Sequence, residues 1–162
     1  MEHSPSISLE DWIKKLPSSR AVYPEAVKDR LKYAFWRFYT PYHSLVRDSL
    51  VSFGFLRHEF RQDFLLGKIA HGQSIKGFIA FLVSKGFGNH FIAWKDKGEL
   101  VSLRYVENFT YQYHLRIFHD GEVRGHFEYT PECYPVKHLL EIGLEDRRHD
   151  FFSFLQDKVE RV

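Results

Sequence analysis

The chain has 162 residues, 44 % of them hydrophobic, and a formal net charge of +2 at pH 7. That length holds one domain with a sizeable core, and the near-balanced charge makes no general case for a polyanion partner. No run of 18 apolar residues predicts a spanning helix. The opening Met-Glu-His-Ser-Pro-Ser lacks the basic-then-apolar pattern of a signal peptide, so a cytoplasmic protein with no membrane partner is expected.

The charge is unevenly placed. Residues 1–88 carry 13 Lys+Arg against 8 Asp+Glu, and residues 89–162 carry 10 against 13, which leans an anionic partner towards the first half. Sixteen Phe, nine Tyr and three Trp are enough to fill a core and leave rings at the surface. The lone Cys133 excludes an internal disulfide and suits a reducing compartment. Few amides beside 27 % charged residues suit a thermophile.

In chain order, residues 1–88 read as mainly helical. Ser8 caps a short helix carrying Leu9, Trp12, Ile13 and Leu16, stopped at Pro17. Pro24 opens a helix to about Tyr39 whose stripe is Val27, Leu31, Ala34, Phe35 and Phe38, at helical spacing. Trp36, with Tyr33 and Tyr39 beside it, lies opposite that stripe, so both sides are expected to be buried. Tyr42, Leu45, Val46, Leu50 and Phe53 form the next stripe, ending at Gly54. A further helix is read over Arg57–Leu66 and another over Ser74–Lys85. Two helices followed by a hairpin have the layout of a winged helix, but Ile75–Lys85 is too apolar for a recognition helix.

From residue 89 to 130 the period changes to 2, which predicts a four-stranded antiparallel meander. Its first pair, Phe91–Lys95 and Glu99–Tyr105, flanks Asp96-Lys-Gly98 and sets Phe91 against Leu103. Its second pair is a hairpin around His119-Asp-Gly121. A two-residue turn there would place Leu115 against His126, which a half-buried strand avoids. A three-residue loop with Gly121 at positive φ instead pairs Ile117 with Val123, Tyr113 with Phe127 and Tyr111 with Tyr129. The other face then pairs Arg116 with Arg124, His114 with His126 and Gln112 with Glu128. Residues 131–162 read as helical, closing on an amphipathic helix with Phe151, Phe152, Leu155 and Val159. The expected fold is a single α+β domain, its helical N-terminal half packed on the sheet's apolar face.

Stacking these pairings maps the polar face in three rows: His90, Arg104, Gln112, Glu128; Ile92, Ser102, His114, His126; and Trp94, Leu100, Arg116, Arg124. Like charges opposite one another are unfavourable, so this face calls for a function. The leading expectation is a binding module for single-stranded nucleic acid or another phosphate-bearing ligand, without a cofactor. Arg104, Arg116 and Arg124 would hold phosphates, His114 and His126 would add hydrogen bonds, and Trp94 would stack. The alternatives are an enzyme for a small anionic substrate with histidine as general acid or base, and a protein-interaction subunit. His114 and His126 with Glu128 or His90 also resemble metal ligands in type, but the neighbouring arginines would repel a cation, and no metal is expected. A Cys133–His138 dyad is the remaining nucleophile candidate, with packing the plainer role for Cys133. Facing imidazoles beside arginines should leave at least one titrating below about 6.5.

Overall fold

Antiparallel pairing throughout organises the chain around one six-stranded sheet, ordered β2-β3-β4-β5-β1-β6. The computed structural model describes residues 7–57, 63–140 and 144–161. The strands are β1 (Phe64–Ile69), β2 (Gly88–Asn89), β3 (Glu99–Val106), β4 (Tyr111–Phe118), β5 (Glu122–Tyr129) and β6 (Val159–Glu160). The helices are α1 (Leu9–Lys14), α2 (Val27–Tyr39), α3 (His43–Ser52), α4 (Ile75–Ser84), α5 (Pro135–Leu139) and α6 (Arg148–Leu155), with a 3-10 turn, Thr40–Tyr42, between α2 and α3. The fold is α+β, as the change of period predicts.

The β4–β5 hairpin has the register read from its side chains. Ile117 pairs with Val123, Arg116 with Arg124, His114 with His126 and Gln112 with Glu128, and Gly121 turns the loop at φ +84°. Leu115, Val101, Leu103, Ile117, Val123 and Phe127 line the apolar face, where Phe78, Ile79 and Leu82 of α4, Phe151 and Leu155 of α6 and Ile13 of α1 complete the core. Ser8 and Ser74 cap α1 and α4 by accepting from Asp11 N and Gly77 N.

Five expectations are corrected. The meander of four strands is a sheet of six, because β1 and β6 extend it past β5. Phe64–Leu66, read as the end of a helix, belong to β1, while residues 58–62 of that reading lie outside the described residues. Phe91–Lys95 is not a strand: Gly88 and Asn89 pair with Arg104 and Leu103, and the chain leaves the sheet after them. The β3–β4 register also sits two residues from the expected one, with Arg104 opposite His114 and Ser102 opposite Arg116. Asn108 Oδ1 accepts from the amides of Thr110 and Tyr111, fixing a longer turn. A shift of two preserves the alternation, so Ser102, Arg104, Gln112, His114, Arg116, His126 and Glu128 keep the polar face with different neighbours, while the bulge between Glu99 and Val101 brings Glu99 to Arg116 and leaves Leu100, expected on that face, in the hydrophobic core. At the C-terminus Val159 belongs to β6, not to a helix, and residues 141–143 are outside the described residues.

Helices therefore lie on both sides of the sheet. α2 and α3 stand over the polar face: Trp36 shares a cleft with Phe91 and Glu132, and the Arg47 guanidinium lies 5.8 Å from the centre of the Trp94 ring.

Candidate metal centre on the buried sheet face

A charged side chain is buried only if it is paired. Arg104 and Arg116, expected at an open surface, are among the most deeply buried side chains described, at 0 % and 1 % exposure. Arg104 is bidentate to Glu132 at 2.7 and 3.0 Å, donates to Gln112 Oε1 at 2.8 Å and also donates to Ser19 O. Arg116 donates to Glu99 at 2.6 and 3.0 Å and to Asp63, with Asp96 at 2.7 Å. Arg116 Nη2 also donates to Trp94 O at 3.3 Å. The wrap of residues 91–97 over the face thus supplies partners for Arg116. Arg124 alone of the three expected arginines reaches solvent, held to Glu122 and against the Phe118 ring. The open basic platform expected from sequence is instead a buried polar layer.

At the middle of that layer lie His90, His114, His126, His138 and Glu128, each no more than 4 % exposed. His114 and His126 face each other as expected, with Nδ1 and Nε2 3.3 Å apart. His126 Nδ1 stands 2.6 Å from Asp63 Oδ1. His90 arrives from the residue after β2, tied to the sheet by its amide to Ser102 O at 3.0 Å. Its Nε2 stands 3.7 Å from Glu128 Oε1, and His114 Nδ1 stands 3.5 Å from the same oxygen. His138 from α5 closes the group, with Nδ1 3.2 Å from Glu128 Oε2 and 3.1 Å from Tyr129 O. Cys133 contacts Lys32 and Thr110, while His138 Nδ1 is turned to Glu128 and Tyr129 O.

Protonation follows from burial and charge. Burial holds His90 down to about 3. Burial, and then the neighbouring His126, push His114 well below the usual range, which meets the expectation for the facing pair. Burial also opposes charge on His126, but Glu128 and Asp63 outweigh it and raise His126 to about 10. Asp63 falls to about 2 because His126 and Arg116 outweigh its burial. Glu128 is held well below the carboxylate range, since His138 and His126 outweigh its desolvation. At neutral pH the group thus has neutral His90 and His114 beside ionised Glu128.

Those are the states in which imidazole and carboxylate bind metal. One ligand atom from each of His90, His114 and Glu128 lies within 4.8 Å of the others. Donors about 2.0–2.2 Å from a tetrahedral ion lie roughly 3.3–3.5 Å apart, close to the 3.5 and 3.7 Å separations around Glu128. His90 Nδ1 and His114 Nε2 are buried without a hydrogen-bond partner, whereas both Glu128 oxygens are engaged: Oε1 accepts from Gln112 Nε2 at 2.6 Å, and Oε2 stands 3.2 Å from His126 Nε2 and from His138 Nδ1. Carboxylates neutralise Arg104 and Arg116, and the cation beside the three is His126, 3.2 Å from Glu128 Oε2 and itself paired with Asp63.

Two clefts lead towards this layer from outside. One, of about 250 Å³, has Arg20, Arg37, Trp36 and Glu132 in its walls. The other, of about 330 Å³, has Arg47, Ser44 and His43. They share Thr40 and Phe91. His43 is 4 % exposed with Nε2 unpartnered, and burial followed by the charge of His138 lowers it to about 4. The sequence reading missed His43, His138, Asp63 and Glu132 as parts of this layer, since nothing in their spacing links them to the hairpin.

Comparison of the chain with protein-family models, curated proteins and solved structures returns no match. No helix among the described residues is long and apolar enough to cross a membrane.

Proposed function

We propose that the protein is a metal-dependent enzyme acting on a small anionic substrate, with the ion held by His90, His114 and Glu128. The supporting observation is that all three side chains are buried in ligand-competent protonation states, with one ligand atom of each within 4.8 Å of the others. Unsatisfied buried polar atoms are costly, and His90 Nδ1 and His114 Nε2 are two such atoms within this group. Two imidazoles and a carboxylate without a thiolate suit Zn²⁺ or Fe²⁺ with a position left open for water or substrate. Such an ion would supply Lewis acidity and a more acidic bound water.

The remaining roles fall to this chain's own groups. Arg47, with Arg37 and Arg20 in the adjoining cleft, meets the substrate's negative charge. His43, neutral and with Nε2 turned to no partner, is placed to accept a proton or orient a substrate oxygen. Asp63 and His126 form a fixed ion pair that positions His114 from behind. A nucleic-acid module working through the sheet would need Arg104 and Arg116 at the surface, and both are enclosed by carboxylates; this moves the proposal to the enzyme alternative.

The test is turnover of a panel of small phosphate and carboxylate esters by metal-replete and chelator-treated protein. Chelation and Glu128→Gln should each abolish turnover, and Arg47→Ala should raise KM about tenfold, the effect of losing about 1.4 kcal/mol of substrate binding. Turnover that persists in chelated protein would reject the assignment.

A further inference from the structure

The stripe of an amphipathic helix ordinarily faces the core. Along α2, the 3-10 turn and α3 the reverse holds. Val27, Leu31, Phe35, Phe38, Tyr42 and Leu45 are 51–72 % exposed, while α2 and α3 bury only Trp36 and His43. The exposed rings tile the surface: Phe35 stacks on Tyr39 and Phe38 packs on Tyr42, each with centroids 5.9 Å apart. Together the six side chains expose roughly 700 Å², more than the largest apolar patch on a typical monomer and close to one partner's share of a standard interface.

We propose that a second copy of the chain covers this stripe, the two α2–α3 segments packing antiparallel about a twofold axis at Phe38. Leu31 and Leu45 lie seven residues to either side, the repeat of paired helices in left-handed packing, so the axis sets Leu31 of one copy against Leu45 of the other. The same operation sets Lys28 against Asp48, both exposed and opposite in charge, twice per dimer; Asp48 Oδ1 also accepts from Arg47 of its own chain at 2.9 and 3.0 Å. Parallel packing would instead set Lys28 against Lys28 and Asp48 against Asp48. Beyond the helices, exposed Val22 and Tyr23 at one end approach exposed Phe53 and Phe55 at the other. Antiparallel helix dipoles add to the preference. The dimer would hold in place the helices whose inner side chains, Trp36, His43 and Arg47, line the two clefts.

Light scattering of the eluted full chain across the micromolar range should give twice the 19.3 kDa of one chain. Phe38→Asp, a surface change, should give a monomer with unaltered far-UV circular dichroism. Register is read by mild oxidation: Leu31→Cys chains mixed with Leu45→Cys chains should cross-link, and neither should alone, since like positions then stand about 20 Å apart. Cys133 is buried and does not interfere. A wild-type monomer throughout, or a dimer that survives Phe38→Asp, would overturn the interface, and cross-linking of either variant alone would overturn the antiparallel register. A monomer that co-sediments with anionic phospholipid vesicles would assign the stripe to a lipid surface instead.

Discussion

Arg116 is the residue on which the buried layer turns. Its guanidinium is shared by Asp63, Glu99 and Asp96, and burying it is tolerable only because those carboxylates are there. Arg116→Met should therefore cost about 3–5 kcal/mol in urea unfolding, the usual cost of leaving the other half of a buried pair uncompensated. Adding Asp63→Asn and Glu99→Gln should recover part of that loss. The titrating groups also set the pH dependence of the metal-free protein. His43 and His90 are held near 4 and 3 against about 6.5 when unfolded, so their contribution is complete above 6.5 and is lost as pH falls towards those values. His126 is raised to about 10, so its contribution is complete below 6.5 and is lost as pH rises through 10. Asp63, lowered to about 2, adds a loss only below about 3.8. Calorimetric melting of chelated protein should peak near pH 6.5–7 and fall on both sides, and His43→Phe should flatten the acid limb.

At the scale of elements, β5 is where core and centre share one backbone. Gly125 pairs with Leu115 between two polar-face positions, and a Cβ there would lie 2.8 Å from the Phe151 ring and 3.0 Å from His114 O. Gly125→Ala should cost about 1–3 kcal/mol as an overpacking change and also weaken metal binding, because relief requires α6 or His114 to move. Paired urea unfolding and metal titration would check both effects. The hairpin that carries His114, His126 and Glu128 was legible in the sequence, since only one loop length keeps apolar residues opposite one another. The β3–β4 register was not, because side-chain bonds of Asn108 set that turn and a two-residue slip leaves the alternation unchanged. β1 was hidden by Phe60 and Phe64 at helical spacing, although Phe64-Leu-Leu-Gly-Lys-Ile69 is short and apolar enough for a strand. The site was half legible: its three rows named Arg104, Gln112, His114, Arg116, His126, Glu128 and His90 of the buried layer but also Ile92, Trp94, Leu100 and Arg124, which are not part of it, and whether the face was open depended on Asp63, Asp96, Glu99 and Glu132, whose partnership with the arginines appears only once the chain is folded.

For the whole molecule, the sheet divides two kinds of interior. One face packs aromatic and aliphatic side chains against α1, α4 and α6, and the other encloses an ionic and histidine layer under α2 and α3. The second interior is held from outside by helices that bury only Trp36 and His43, so its integrity is tied to whatever covers their exposed stripe. A monomeric Phe38→Asp variant should accordingly show faster amide exchange in α2 and α3 than the dimer, with the protection of β4 and β5 retained. Uniform loss of protection would mean that the stripe supports the entire fold and not the roof alone.

Titration of the chelated protein with Co²⁺, followed by visible absorption, tests the proposed centre most directly. The proposed centre should take up one equivalent with the bands of a low-coordinate nitrogen–oxygen site. His90→Ala, His114→Ala and Glu128→Gln, each checked for folding by circular dichroism, should each weaken uptake at least tenfold. Absence of binding at micromolar Co²⁺ and Zn²⁺, or binding unchanged in all three variants, would contradict it and leave the buried histidines as a purely structural layer.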